Sequence, residues 1–319
     1  MRKLLPGLLL LMMALPCVAQ EAPTLDVMQT LDRIADFHFA IMSDHKGSAP
    51  ANSPEMARMA RWIDESGDRF VIGLGDHLCA RFDNPFLDFI GGDQWWARRF
   101  YPNIADGENE YYGAGQGDWG AGGQLLEDAS MYGRPGVTVR DNKCEYYARI
   151  FANGFVIHLI QLHYSDNPAD ISIAFNESTR QFLIDTLAGI NKGPRDIVIV
   201  GAHSRTGYWV HELSPERRAL VMDKCDLVLS ATTHNYGRQI IAGYEERGAL
   251  CLNTGSVCYA RDANQGYIQV HVFGDMRPTM LVQYVSLTDD VRRAANAGNP
   301  VFVKELSGRT WQVAPFAEQ

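Results

Sequence analysis

The sequence has little cysteine, no excess of positive charge, and no long apolar run outside its first residues. Six cysteines among 319 residues are too few to build a disulfide scaffold, so stability has to come from a hydrophobic core. Lys and Arg number 29 against 38 Asp and Glu, a formal charge of −9 that repels phosphate backbones and argues against nonspecific nucleic-acid binding. Past the N-terminus no stretch is long and apolar enough to cross a bilayer. No internal repeat occurs. The glycine-rich stretch from Gly113 to Gly123 lacks the Gly-Lys-Ser or Gly-Lys-Thr of a phosphate-cradling loop, and reads either as a mobile active-site wall or as a disordered insertion.

What is present begins with a leader. Arg2 and Lys3 precede an apolar run from Leu8 to Leu15 and then small residues before Gln20, the pattern of a secretory signal over residues 1–19. The expectation is export, to a periplasm or beyond the cell. Acylation of Cys17 ranks second, because Pro16 fits a lipoprotein signal poorly. Removing the leader takes two cations and no anion, so the charge of −9 becomes −11 over the remaining 300 of 319 residues. Cys79, Cys144, Cys225, Cys251 and Cys258 remain, an odd set that leaves at least one thiol free or ligating; Cys251 and Cys258 are near enough for a loop-closing bridge. The length suits one compact α/β domain over residues 37–319, behind a tether at 20–36 with an amphipathic turn.

Four apolar runs stop at residues that can hold a metal. Phe70-Val-Ile-Gly-Leu-Gly-Asp-His77 is the central one: a run buried on both faces, then Gly75 for a sharp turn, then Asp76. Phe39-Ala-Ile-Met-Ser-Asp44 ends in another acid, while Ile197-Val-Ile-Val-Gly-Ala-His203 and Leu227-Val-Leu-Ser-Ala-Thr-Thr-His234 end in imidazoles. In open α/β sheets ligands bind at the carboxyl ends of strands, so these four ends predict one metal site drawn from distant sequence.

Between them the chain alternates. Ser53-Pro54-Glu55 starts a helix whose apolar face is Met56, Met59, Ala60 and Ile63 and which Gly67 stops, completing a βαβ unit. Residues 81–106 predict a helix carrying Trp95, Trp96, Phe100 and Tyr101, with core packing as the role of the aromatics. Tyr146 to Phe151 and Phe155 to His163 pair around Ala152-Asn-Gly154. Ser178 with Gln181 suggests a capping box for a helix holding Phe182, Leu183 and Leu187, and a short helix opens at Pro215. Leu252 to Val257, Tyr267 to Phe273 and Met280 to Val285 continue the strands. His38, His158, His163 and His271 read as hydrogen-bonded structural histidines.

Asp44, Gly75-Asp76, Gly107-Glu-Asn109-Glu110, Val200-Gly-Ala-His203 and Thr232-Thr-His234 occur in the order of the calcineurin-like metallophosphoesterases, which the chain resembles over roughly residues 37–285. Thr-Thr-His234-Asn-Tyr-Gly-Arg238 is similar to the last signature of the purple acid phosphatase branch, and Asn253-Thr-Gly-Ser-Val257 with Arg261 to a stretch of related phosphodiesterases. The resemblance implies a four-layer α/β/β/α sandwich of two mixed sheets flanked by helices. It implies one or two divalent ions (Mn, Zn, Fe or similar) and direct attack of water on a small-molecule phosphate mono- or diester. Asp76 would bridge the ions, Asp44 and His234 would hold the first, and Asn109 and His203 the second.

The departures open alternatives. Ala231-Thr232 stands where the family has Gly-His, Glu110 where a His assists the phosphate, and Lys46 where many members place a ligand; the Tyr ligand of the purple branch falls on Cys79. In one reading metal is retained, with Cys79 thiolate as a further ligand and Glu110 as general acid or ligand. In the other, a Lys46–Glu110 ion pair fills the space, and the chain is an inactive module binding a phosphate ligand or a protein. A mononuclear hydrolase built on Cys79 is a third. Lys46, His77 and Arg205 are candidate substrate contacts, Arg205 with a solvent-facing alternative.

Overall fold

The structure is a computed structural model. It describes residues 27–44, 54–75, 99–103, 131–140, 145–162, 176–203, 209–231, 233–257, 265–288, 291–292 and 300–314. Asp76, His77, Cys79, Asn109, Glu110, Lys46 and Arg205 lie outside them, as do Thr232, Cys144, Cys258, His163, the side chain of Met56, the leader and the glycine-rich stretch.

Two seven-stranded sheets face each other. The first runs β14 (Gln312–Val313), β13 (Phe302–Glu305), β12 (Thr279–Ser286), β11 (Gly266–Phe273), β1 (Phe37–Met42), β2 (Val71–Gly73), β3 (Phe100–Pro102). The second runs β4 (Val137–Val139), β5 (Tyr146–Ala152), β6 (Phe155–Leu162), β7 (Asp196–Ala202), β8 (Leu227–Ser230), β10 (Leu250–Thr254), β9 (Tyr236–Gln239). Both are mixed: β1, β2 and β3 are parallel, as are β6, β7, β8 and β10, and the remaining pairs are antiparallel. Helices α1 (Val27–Ile34) and α2 (Pro54–Ser66) lie against the first sheet, α3 (Glu177–Gly189) and α4 (Pro215–Lys224) against the second. The result is the expected pair of mixed sheets with helices outside.

Period-two alternation explains why the central strands read as unbroken apolar runs. On β6 and β7, Ile157, Leu159, Ile197 and Ile199 face the other sheet, while Ile160, Val198 and Val200 pack under Leu183, Leu187, Val221 and Met222 of the outer helices. A strand covered on both sides has no polar face to show. The β5–β6 turn puts Asn153 and Gly154 at φ of 47° and 81°, as a two-residue hairpin requires.

Four details differ from the expectations. Phe100 and Tyr101 sit on strand β3 rather than on a helix, paired with Val71 and Ile72. Aromatic residues pack well on a pleated surface, and this pairing buries both. The cap of α3 is Asn176, whose Oδ1 accepts from Thr179 N at 2.8 Å, while Gln181 donates to Asp185. Cys251 is a free thiol buried beside Met222 Sδ at 3.8 Å, so it closes no loop with Cys258. Part of the expected tether is helix α1, seated by buried Met28 and Leu31.

Polar residues on the outer face of the first sheet bond mainly to one another, leaving Asp68 Oδ2 and Gln283 Oε1 buried without a partner among the described residues. His38 Nδ1 meets Asp68 Oδ1 at 2.6 Å, and Gln269 Nε2 donates to the same oxygen at 2.6 Å. Arg292 joins Gln269 to Asp32 of α1, and Asp32 Oδ1 meets His271 Nε2 at 2.8 Å. His38 and His271 thus have the structural roles expected of them. On the second sheet, His158 Nδ1 lies 2.6 Å from the Tyr147 hydroxyl.

Candidate metal centre

The parallel strands of both sheets deliver their carboxyl ends to one edge of the sandwich. Met42, Gly73 and Pro102 are level with one another on the first sheet, as are Leu162, Ala202 and Ser230 on the second. One or two residues later come Asp44 and His203. His234 follows from the connection after β8.

Asp44 reaches the second sheet because its backbone breaks the alternation of β1. Phe37 packs against Phe155 across the sandwich, and Ser43 Oγ bonds there too, lying 2.7 Å from Thr254 Oγ1 and donating to the Gly255 carbonyl at 2.7 Å. Regular continuation would send Asp44 the other way; a φ of 51° turns it back. Its carboxylate is fully buried, with Oδ1 3.3 Å from His234 Nε2 and 3.9 Å from His203 Nε2. His234 has a φ of 58° and a side chain 20% exposed.

His203 is fixed from behind. Its Nδ1 lies 2.9 Å from the Leu74 carbonyl oxygen, which can only accept, so Nδ1 carries the hydrogen. In the neutral ring Nε2 is then a lone pair directed toward the Asp44 side, the form in which imidazole ligates metals. The ring packs against Gly75, where an added Cβ would come within 2.7 Å of His203 Cβ and Cγ. The turn expected at Gly75 has a φ of 99°. That glycine therefore serves both the turn and the imidazole.

A carboxylate oxygen beside imidazole nitrogens is a donor set suited to a borderline divalent cation. Two donors bound to one zinc-like ion at about 2.0–2.1 Å and a tetrahedral angle stand about 3.3 Å apart. Asp44 and His234 have that separation; His203, at 3.9 Å, stands further from Asp44. Among the described residues no group of three or more His, Cys, Asp or Glu is arranged to hold a metal ion. The described donors are a pair with a third imidazole alongside.

Of the ten residues singled out from sequence, Asp44, His203 and His234 are described and are brought together. The other seven fall outside the described residues. Sequence reading passed over the seam behind the site. Gly201 faces inward, where a Cβ would lie 2.5 Å from both Leu74 Cδ2 and Gln161 Oε1. A glycine inside an otherwise apolar strand is the signal that could have exposed it.

No protein-family model and no curated protein matches the chain. Solved structures similar to it include calcineurin-like phosphoesterases. YfkN from Bacillus subtilis is 9% identical over 86% of this chain and 93% of its own, with a TM-score of 0.39. The phosphoesterase YfcE from E. coli is 13% identical over 82% and 99%, with a TM-score of 0.36. GAP50, the anchor in the inner membrane complex of Plasmodium, is 13% identical over 82% of this chain and 88% of its own, with a TM-score of 0.48.

Proposed function

We propose that the chain is an exported, divalent-metal-dependent phosphoesterase-like hydrolase acting on small-molecule phosphate mono- or diesters. The observation that carries this reading is that His203 and His234, from the second sheet and the connection after β8, both bring Nε2 within 3.9 Å of the buried Asp44 carboxylate of the first sheet. Asp44 and His234 would hold one ion. His203 would serve a second with Asn109, Asp76 would bridge, and Cys79 is a further candidate ligand. Such ions, when bound, polarise the phosphoryl oxygens and lower the pKa of a water. The chain's own part is to keep His203 in the tautomer that presents Nε2, and to shield that ring and the Asp44 carboxylate from bulk solvent. Lys46, His77 and Arg205 would bind phosphate oxygens, and Glu110 would protonate the leaving group.

Elemental analysis of the purified mature protein after incubation with Mn, Zn or Fe tests this, with Asp76→Asn and His203→Ala alongside and with aryl phosphate mono- and diesters as substrates. About one or two ions per chain, lost together with hydrolysis in the variants, support the reading. No ion on a folded wild-type protein overturns it and leaves a binding module.

A further inference from the structure

Behind His203 two buried amide side chains join the sheets. Gln161 of β6 points inward, level with Gly201 of β7, whose missing side chain makes room for it. Gln161 Nε2 donates to the carbonyls of Gly73 at 3.1 Å and Tyr101 at 3.3 Å, both on the first sheet. Its Oε1 accepts from Asn103 Nδ2 at 2.9 Å, and the same nitrogen donates to the Leu162 carbonyl at 2.9 Å. Asn103 N donates to the Gly73 carbonyl at 2.6 Å. Neither residue is exposed to solvent.

Apolar side chains could fill this seam without the cost of burying two amides. What the amides add is fixed geometry: although Asn103 Oδ1 has no partner among the described residues, directional hydrogen bonds from both side chains to carbonyls of the two sheets hold one arrangement where an apolar contact tolerates sliding. The thing held is the Gly73 peptide, and the next carbonyl along, that of Leu74, takes the His203 Nδ1 hydrogen. Leu74 N in turn donates to the Met42 carbonyl at 2.9 Å, two residues before Asp44. The distance between the Leu74 carbonyl and His203 is therefore an inter-sheet distance, and Gln161 with Asn103 sets it.

We propose that Gln161 and Asn103 are positioning residues that hold His203 in its Nδ1–H tautomer with Nε2 facing Asp44. Neither touches the substrate or ion. The assignment deepens the metal-site reading and rests on it for its purpose, though not for its test. The tautomer is read by nitrogen-15 NMR of histidine side chains in the metal-free protein, with His203→Ala identifying the resonances. Wild type should show His203 mainly as the Nδ1–H form. Gln161→Met should raise the Nε2–H form to a comparable population in a protein with an unchanged circular dichroism spectrum, and should weaken Zn or Mn binding by about 10–100-fold. Gln161→Glu, which keeps the acceptor for Asn103 but loses the donors to Gly73 and Tyr101, should behave like Gln161→Met. Asn103→Ser serves if Gln161→Met does not fold. An unchanged tautomer in a folded variant overturns the assignment, whatever its metal content. A shifted tautomer in a protein whose wild type binds no metal upholds the clamp and sinks the metal reading instead.

Discussion

Gly75→Ala tests the packing on which the candidate site depends. The φ of 99° is strained for any residue with a Cβ, at about 1–3 kcal/mol. The new methyl would also stand 2.7 Å from His203 Cβ and Cγ and 2.8 Å from Nδ1, an overlap that forces shifts costing about 1–3 kcal/mol. The sum, about 2–6 kcal/mol, is large beside the 5–15 kcal/mol that holds a typical domain. Gly67→Ala is the control: its φ of 74° carries similar backbone strain, but nothing lies within 4 Å of the added Cβ. Urea unfolding of both variants isolates the clash as their difference. The chain could shed part of that cost by swinging the imidazole away and breaking its bond to Leu74, in which case metal content falls while stability is spared. The reasoning is refuted if Gly75→Ala loses no more stability than Gly67→Ala and keeps the wild-type metal content.

Burial of His271, reinforced by the nearby charges of His38 and Arg292, holds its pKa below 6.5 despite the hydrogen bond and attraction from Asp32. The neutral ring suits its partners: Nε2–H faces Asp32, and Nδ1 faces the Gln283 amide at 3.4 Å. As pH falls below 6.5 the unfolded chain takes up a proton that the folded chain refuses, so stability should drop from there toward the folded pKa. His271→Gln should flatten that slope in part, since His158 is shifted the same way by burial; an unchanged slope would count against the buried network. Burial pushes the Cys251 thiol up to about 12 and the Cys225 thiol higher still. Peptide mapping after iodoacetamide treatment should find both unmodified in the native protein and alkylated in urea, and rapid native labelling of Cys251 would contradict its placement.

How much was legible depended on whether the signal was local. The runs ending at Asp44, His203 and His234 announced buried strands because a strand covered on both faces needs apolar residues at every position. Pro215 marked the start of α4, where the structure adds Ser214 as the cap, because helix-start chemistry is confined to a few adjacent residues. Phe100 and Tyr101 misled because two adjacent aromatics carry no period, and only pairing with Val71 and Ile72 decides between helix and strand. The clamp of Gln161 and Asn103 was invisible for a different reason. Its partners are backbone carbonyls of another sheet, and an amide meant for a distant carbonyl looks like any other amide in sequence.

The backbone itself separates the site from ordinary loop chemistry. Among the described residues three non-glycines have positive φ: Asp44, Asn153 and His234. Asn153 is accounted for by its hairpin, whose right-handed twist demands left-handed residues in the turn. Asp44 and His234 sit in no such hairpin, yet each is held in a conformation that glycine would adopt without steric strain. Asp and His tolerate it better than most side chains, but tolerance does not explain why glycine is absent. Strain of this kind persists where surrounding contacts over-determine it, and it gathers where a side chain has to be aimed. Here both strained residues aim at each other, 3.3 Å apart, across the ends of two different sheets. Backbone strain alone would favour glycine at both positions, so the side chains, not the turn geometry, account for the residues found there.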